Sequence, residues 1–189
     1  MSLLSIQNTL ERIKRELNQI LDDYEYWFAA PEALHMYQPL EGWSIAQILE
    51  HVTLTNHFLL ILIRKGKNKA LMLAAKTNLE DSLNHYQDNL GELDQIAEHK
   101  SFKWIRPEHM EPRGEMPLDQ VRKLLESQVG ECLDILQQLS NGEGILHKTM
   151  MSVNNLGKID VYQYIYFLAL HAKRHIAQLQ RVKTEYEQQ

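Results

Sequence analysis

Two histidines one helical turn apart are the residues best placed to do chemistry in this 189-residue chain. His171 and His175 lie in LALHAKRHIAQLQ, residues 168–180, a strongly helical run. A spacing of four brings both imidazoles to one helix face at neighbouring heights, as a chelating pair requires. His-x-x-x-His also arises in helices whose histidines only pack or face water, so the pair needs a third donor. His51, on an earlier helix, is the candidate. His57 lies six residues further on, about 240° around the helix, and cannot share a site with His51. Glu32 and His35 make a Glu-x-x-His, but a di-iron bundle needs that motif twice within helices plus two further glutamates. Here it occurs once, between prolines.

Four amphipathic helices must position these groups. The first spans 3–28, with Ile6, Leu10, Ile13, Leu17, Ile20, Tyr24 and Trp27 alternating by four and three, and Pro31 closing it. Tyr24 and Trp27 read as scaffold, although their place near the helix end would let them line a pocket. The second opens sharply: Ser44 and Gln47 form a capping box, and Trp43 can pack on Ile48 as a staple. Its apolar face carries Ile45, Ile48, Leu49, Val52, Phe58, Leu59 and Leu62, with His51 adjoining it. RKGKNK, residues 64–69, is expected to end it. The third covers 118–139 along Val121, Leu124, Leu125, Cys132, Ile135, Leu136 and Leu139, so Cys132 reads as a buried small hydrophobe rather than a nucleophile. The fourth begins at Asp160 with Gln163 as a second capping box and runs through Ile165, Leu168, Ala172, Ile176, Leu179 and Val182. Between helices, 31–43 and 143–159 read as loops, and 70–100 as one or two helical pieces broken near Asn78 or Gly91. Three prolines make 101–117 irregular. His85, His99 and His109 read as solvent-facing. A connection of this length would let the third helix run in the direction of the second.

Composition narrows the function. A hydrophobic fraction of 44% and a charged fraction of 24% suit one domain, residues 1–189, with a real core. A net charge of −5 argues against nucleic-acid binding. No run approaches the roughly 18 apolar residues of a membrane span, so no membrane partner is expected. The N-terminal stretch becomes charged too early for a secretory signal. Cys132 is the sole cysteine, which excludes an internal disulfide and points to the cytoplasm.

Two stretches resemble the DinB/YfiT superfamily of metalloenzymes. One is GWSIAQILEH, Gly42–His51, a Trp-Ser helix start with a histidine seven residues after the serine. The other is LGKIDVYQYIYFLALHAKRHIAQLQRV, Leu156–Val182, a glycine-containing turn followed by a helix with His-x-x-x-His. The proline-rich FKWIRPEHMEPRGEMP is similar to the family's long connection. The resemblance implies an all-α, up-down-down-up four-helix bundle with a long helix-containing crossover between helices 2 and 3. It implies that His51, His171 and His175 form a three-histidine divalent-metal site, and that the chain forms a homodimer. Relatives include bacillithiol S-transferases and mycothiol-dependent maleylpyruvate isomerase, so a small-molecule substrate and a low-molecular-weight thiol as cosubstrate follow.

Three imidazoles with open positions are the pattern of a catalytic metal site. Zinc is the default ion and nickel also suits imidazole. A bound ion would bring a thiol or a water to ionise near neutral pH. The expected activity is therefore thiol S-transfer, with metal-dependent hydrolysis, or a non-catalytic metal-binding dimer, as alternatives. Around the ligands, Glu50 is expected to be a solvated carboxylate and Arg174 a surface arginine within reach of an anionic substrate. Glu126 and Asp134 are candidate partners of the ligands. Tyr164, on nearly the face of His171, reads as core packing or pocket wall. No residue stands out as general base.

Overall fold

The computed structural model describes residues 3–98 and 108–189. The described residues hold helices α1 (Leu3–Phe28), α2 (Glu32–Met36), α3 (Ile45–Ala74), α4 (Leu79–Asn84), α5 (Leu90–Leu93), α6 (Leu118–Gln138) and α7 (Val161–Glu187). A two-stranded antiparallel sheet, β1 (Lys148–Met151) and β2 (Gly157–Asp160), precedes α7. The protein is thus mostly helical, as expected, with one small sheet that the helical patterning gave no sign of.

The seam expected on α1 is buried along its whole length, from Ile6 to Trp27. Burying one such side chain stabilises by about 1.5–3 kcal/mol. That exceeds the tenths of a kcal/mol by which helix propensities differ, so packing decides where α1 lies. Both capping boxes form. Gln47 N–H donates to Ser44 Oγ (3.2 Å) and Ser44 N–H to Gln47 Oε1 (3.0 Å). At α7, Gln163 N–H donates to Asp160 Oδ1 (3.0 Å) and Asp160 N–H to Gln163 Oε1 (2.9 Å). Each satisfies donors that a helix start leaves orphaned.

Contacts between the four long helices fix their relative directions. Along α1 and α7, Arg12 meets Tyr166 and Tyr24 donates to the Ala172 carbonyl. Residue numbers rise together, so the two run parallel. Along α3 and α6, Gln128 donates to the Thr53 carbonyl, Arg64 pairs with Glu131 and Lys67 reaches Gln138, again in step. Between α3 and α7 the numbers oppose: Gly66 approaches Val161 while His51 faces His171 and His175. Between α1 and α6, Glu25 pairs with Arg122 near the start of α6, and Ile6 lies near Gly142 just past its end.

Several local expectations are corrected. The basic run 64–69 does not end α3, which continues to Ala74. Gly66 is buried there, where a Cβ would sit 3.1 Å from Val161, so the glycine serves close helix packing rather than a stop. Leu62, at the edge of the apolar face of α3, is 37% exposed. Residues 31–43 contain the short helix α2, with Pro31 at its N-cap, and its His35 is buried with Nε2 2.7 Å from the Trp27 carbonyl. The expected loop 143–159 instead holds most of the hairpin, whose turn uses the left-handed residues Asn154 and Asn155, with Gly157 left-handed at the start of β2. Asn78 does break the helix-prone stretch, as N-cap of α4, whereas Gly91 lies inside α5. Among the described residues, α3 is long and apolar enough to cross a membrane by length and composition, contrary to the sequence expectation. Of its most apolar window, 67% is buried inside the protein. His85 is exposed as expected, while His99 and the side chain of His109 lie outside the described residues.

Candidate metal centre

The three histidines meet. His51 from α3 and His171 and His175 from α7 each offer one ring nitrogen, and these nitrogens lie within 4.8 Å of one another. The capping box at Ser44 starts α3 so that His51 faces inward two turns later. The box at Asp160 does the same for α7, where antiparallel packing brings 171 and 175 level with 51. His51 and His171 are buried and His175 is half-buried.

The tautomers follow from the hydrogen-bond partners. His51 Nδ1 lies 2.8 Å from the Met110 carbonyl oxygen, which can only accept. Nδ1 therefore carries the proton, and the Nε2 lone pair is left for the centre. His175 Nδ1 lies 2.9 Å from Gln178 Oε1, which places its proton in the same way. His175 Nε2 and His171 Nε2 are 3.2 Å apart. Two lone pairs cannot face each other at that distance unless a proton or a cation stands between them. Zinc–imidazole bonds of about 2.0–2.1 Å at a tetrahedral angle hold two nitrogens about 3.3 Å apart. The donor set thus fits a divalent ion. Burial first, then the neighbouring His175, His51 and Arg174, hold the His171 imidazole well below its usual pKa. It is neutral and ready to act as a ligand at physiological pH.

A family model described as the DinB superfamily matches residues 9–179. The chain belongs to the DinB superfamily. Comparisons with curated proteins and with solved structures found no match. The superfamily resemblance read from Gly42–His51 and Leu156–Val182 is borne out, and both stretches bear on the three histidines of this DinB-superfamily chain.

Residues around the centre depart from expectation. Glu50 is not solvated: it is 7% exposed, and its Oε2 accepts from the Gly114 N–H at 2.5 Å. Arg174 is not a surface residue. It is 8% exposed, and its Nη1 donates to the carbonyls of Ile96 and Glu98, tying the α5 region to α7. Glu126 and Asp134 are exposed, and Glu126 pairs with Arg122 on its own helix. Tyr164 is buried and donates to the Met150 carbonyl at 2.7 Å, so it anchors the hairpin to α7. Tyr24 is likewise a buried anchor, donating to Ala172 at 2.8 Å. Cys132 is fully buried, its thiol pushed up to about 12 by burial, which makes it inert.

Three groups at the centre were not foreseen. The Met110 carbonyl belongs to the backbone, so no side-chain pattern announces it. Trp43, placed in the sequence as a staple, also lies against His51 with ring centroids 4.6 Å apart, and its Nε1 donates to Glu111 (3.3 Å). Gln178 had a readable signal, because a glutamine three residues after a candidate ligand shares its face. Beside this turn of α3, a cavity of about 330 Å³ is lined by Glu50, Leu54, Glu108, Glu111 and Arg113.

Proposed function

We propose that this chain is a metal-dependent enzyme in which His51, His171 and His175 hold a divalent ion, zinc by default, and in which a low-molecular-weight thiol is activated for S-transfer. The observation that carries the reading is the convergence of three imidazole nitrogens within 4.8 Å, with two Nδ1 protons held outward by carbonyl oxygens. Carbonyl partners of this kind fix ring orientation and raise ligand basicity. Contact directions along the four long helices support an up-down-down-up bundle, with 75–117 as the crossover.

His51, His171 and His175 would hold the ion, whose Lewis acidity would favour ionisation of a thiol near neutral pH. The chain's own residues do the rest. His171, kept neutral by burial, does not compete for a proton. Met110 and Gln178 orient the two other imidazoles. Trp43 covers one side of His51 and keeps water from it. Arg113 and the carboxylates along the cavity beside Glu50 suit a small molecule bearing both an amine and a carboxylate. Arg174 and Glu50 are both committed to backbone partners and serve as fixed walls rather than proton carriers.

Metal content of untagged protein by mass spectrometry, beside His175→Ala, tests the reading. Near one equivalent is expected in wild type and little in the variant. Zinc at about 100 times its Kd adds about 2.7 kcal/mol, a rise in Tm of several degrees for a chain of this size, and His175→Ala should lose it. No metal, no reconstitution with zinc or nickel, and no effect of chelator would sink it. With metal established, turnover of an electrophile with a panel of small thiols separates S-transfer from hydrolysis, which proceeds without thiol.

A further inference from the structure

Glu50 carries a carboxylate that is only 7% exposed, at the edge of the cavity, and its hydrogen bond goes to the backbone rather than to the three histidines. Its carboxylate accepts from the Gly114 amide, and Gly114 is four residues from Met110, whose carbonyl holds His51. The segment 110–114 therefore crosses α3 as a strap fixed to two consecutive residues of that helix. Met110 is bound to His51 at one end and Gly114 to Glu50 at the other. Between them Glu111 takes the Trp43 N–H, and Trp43 lies on the His51 ring. Gly114 has φ +73°, and a Cβ there would lie 2.9 Å from Gln47 Cγ, so only glycine lets the strap lie this close to the first turn of α3.

A buried carboxylate needs strong acceptor interactions to offset its desolvation. The acid at position 50 has a specific contact to make. Resting on the metal reading above, we infer that Glu50 is a positioning residue for the metal centre: it clamps Gly114 so that the Met110 carbonyl holds His51 with Nε2 turned toward His171 and His175. The clamp acts through the strap and not on the ion. Metal binding and strap docking are then linked, and the linkage is reciprocal.

The test measures zinc affinity by competition with a chromophoric chelator in the full-length protein, for wild type, Glu50→Ala, Glu50→Gln and His51→Ala. Loss of an outer partner of a ligand costs about 10–100-fold in metal affinity, so Glu50→Ala should bind zinc about tenfold more weakly. Glu50→Gln keeps an oxygen that can accept from Gly114, and should stay within about threefold of wild type. Hydrogen exchange supplies a readout that needs no variant: at labelling times too short for global unfolding, zinc should slow exchange at the Gly114 amide of wild type. Unaltered affinity in Glu50→Ala would overturn the inference. So would a fall in Glu50→Gln as large as in Glu50→Ala, because charge rather than the clamp would then be responsible. Zinc without effect on the Gly114 amide would also overturn it. The metal reading itself fails if wild type binds no zinc or if His51→Ala binds it as tightly as wild type, so the two failures are told apart.

Discussion

Replacing Asp160 with asparagine should stabilise the protein above neutral pH and do almost nothing at pH 4. Asp160 caps α7 and is 1% exposed. Burial pushes its carboxyl from 3.8 up to about 6, while the Gln163 amide, Tyr86, Lys148 and the Tyr162 amide pull it only part of the way back. The folded state thus keeps a proton that the unfolded chain has released, and the charged form is the disfavoured one. Stability from this group is greatest below about pH 4 and falls as pH rises to about 6, after which the loss is complete. At about 1.36 kcal/mol per pKa unit, the difference between 3.8 and about 6 is worth about 3 kcal/mol. Asparagine caps helices as well as aspartate does, and carries no charge to bury. The gap between Asp160→Asn and wild type should therefore open by about 3 kcal/mol between pH 4 and pH 7.5. For a chain of this size that is about 6–12 °C in Tm. Thermal melts followed by circular dichroism, in chelator so that metal does not contribute, measure it. A gap that stays constant across this range would refute the reasoning, since the buried carboxylate would then carry no cost.

Other expectations follow from single contacts. Gly144→Ala would put a Cβ 2.6 Å from the fully buried Tyr162 ring, whose hydroxyl is held by the Leu139 carbonyl and the Gly144 amide. Denaturant melts should show a loss of about 1–3 kcal/mol from overpacking. Tyr24→Phe removes the hydrogen bond to Ala172. It should cost about 0.5–1.5 kcal/mol in the same assay, with zinc affinity unchanged. Glu131→Ala breaks a short ion pair with Arg64, but both partners are partly exposed. Its effect should stay below about 1 kcal/mol and shrink further in salt.

What the sequence revealed followed from periodicity and local chemistry. The α1 seam, both capping boxes and the start of α7 were legible because each depends on residues within a turn or two of one another. Leu62 was misplaced because a stripe drawn by apolar identity cannot tell the edge of a face from its centre. The run 64–69 misled for a related reason: Gly66 signals a break when read locally, and only the approach of Val161 shows it to be a packing glycine. The hairpin was missed because its strands are four residues each and alternate weakly. At the centre, His171 and His175 could be paired from spacing alone, whereas their meeting with His51 depends on how α3 and α7 pack. Glu50 and Arg174 were misjudged because charged residues are exposed by default. What holds them is backbone from the segment between α3 and α6, and an amide or carbonyl looks the same in every residue.

The separation of 120 positions between His51 and His171 has a topological consequence. An ion bonded to both would close a loop of that length, much as a disulfide does. Chain-entropy arguments for a loop of this size give about 5 kcal/mol of destabilisation of the unfolded ensemble. During synthesis the first donor leaves the ribosome long before the second and third. The ion therefore cannot template early folding; it can only lock an arrangement of helices that has already formed. For this chain, metal capture would mark the completion of folding rather than its start.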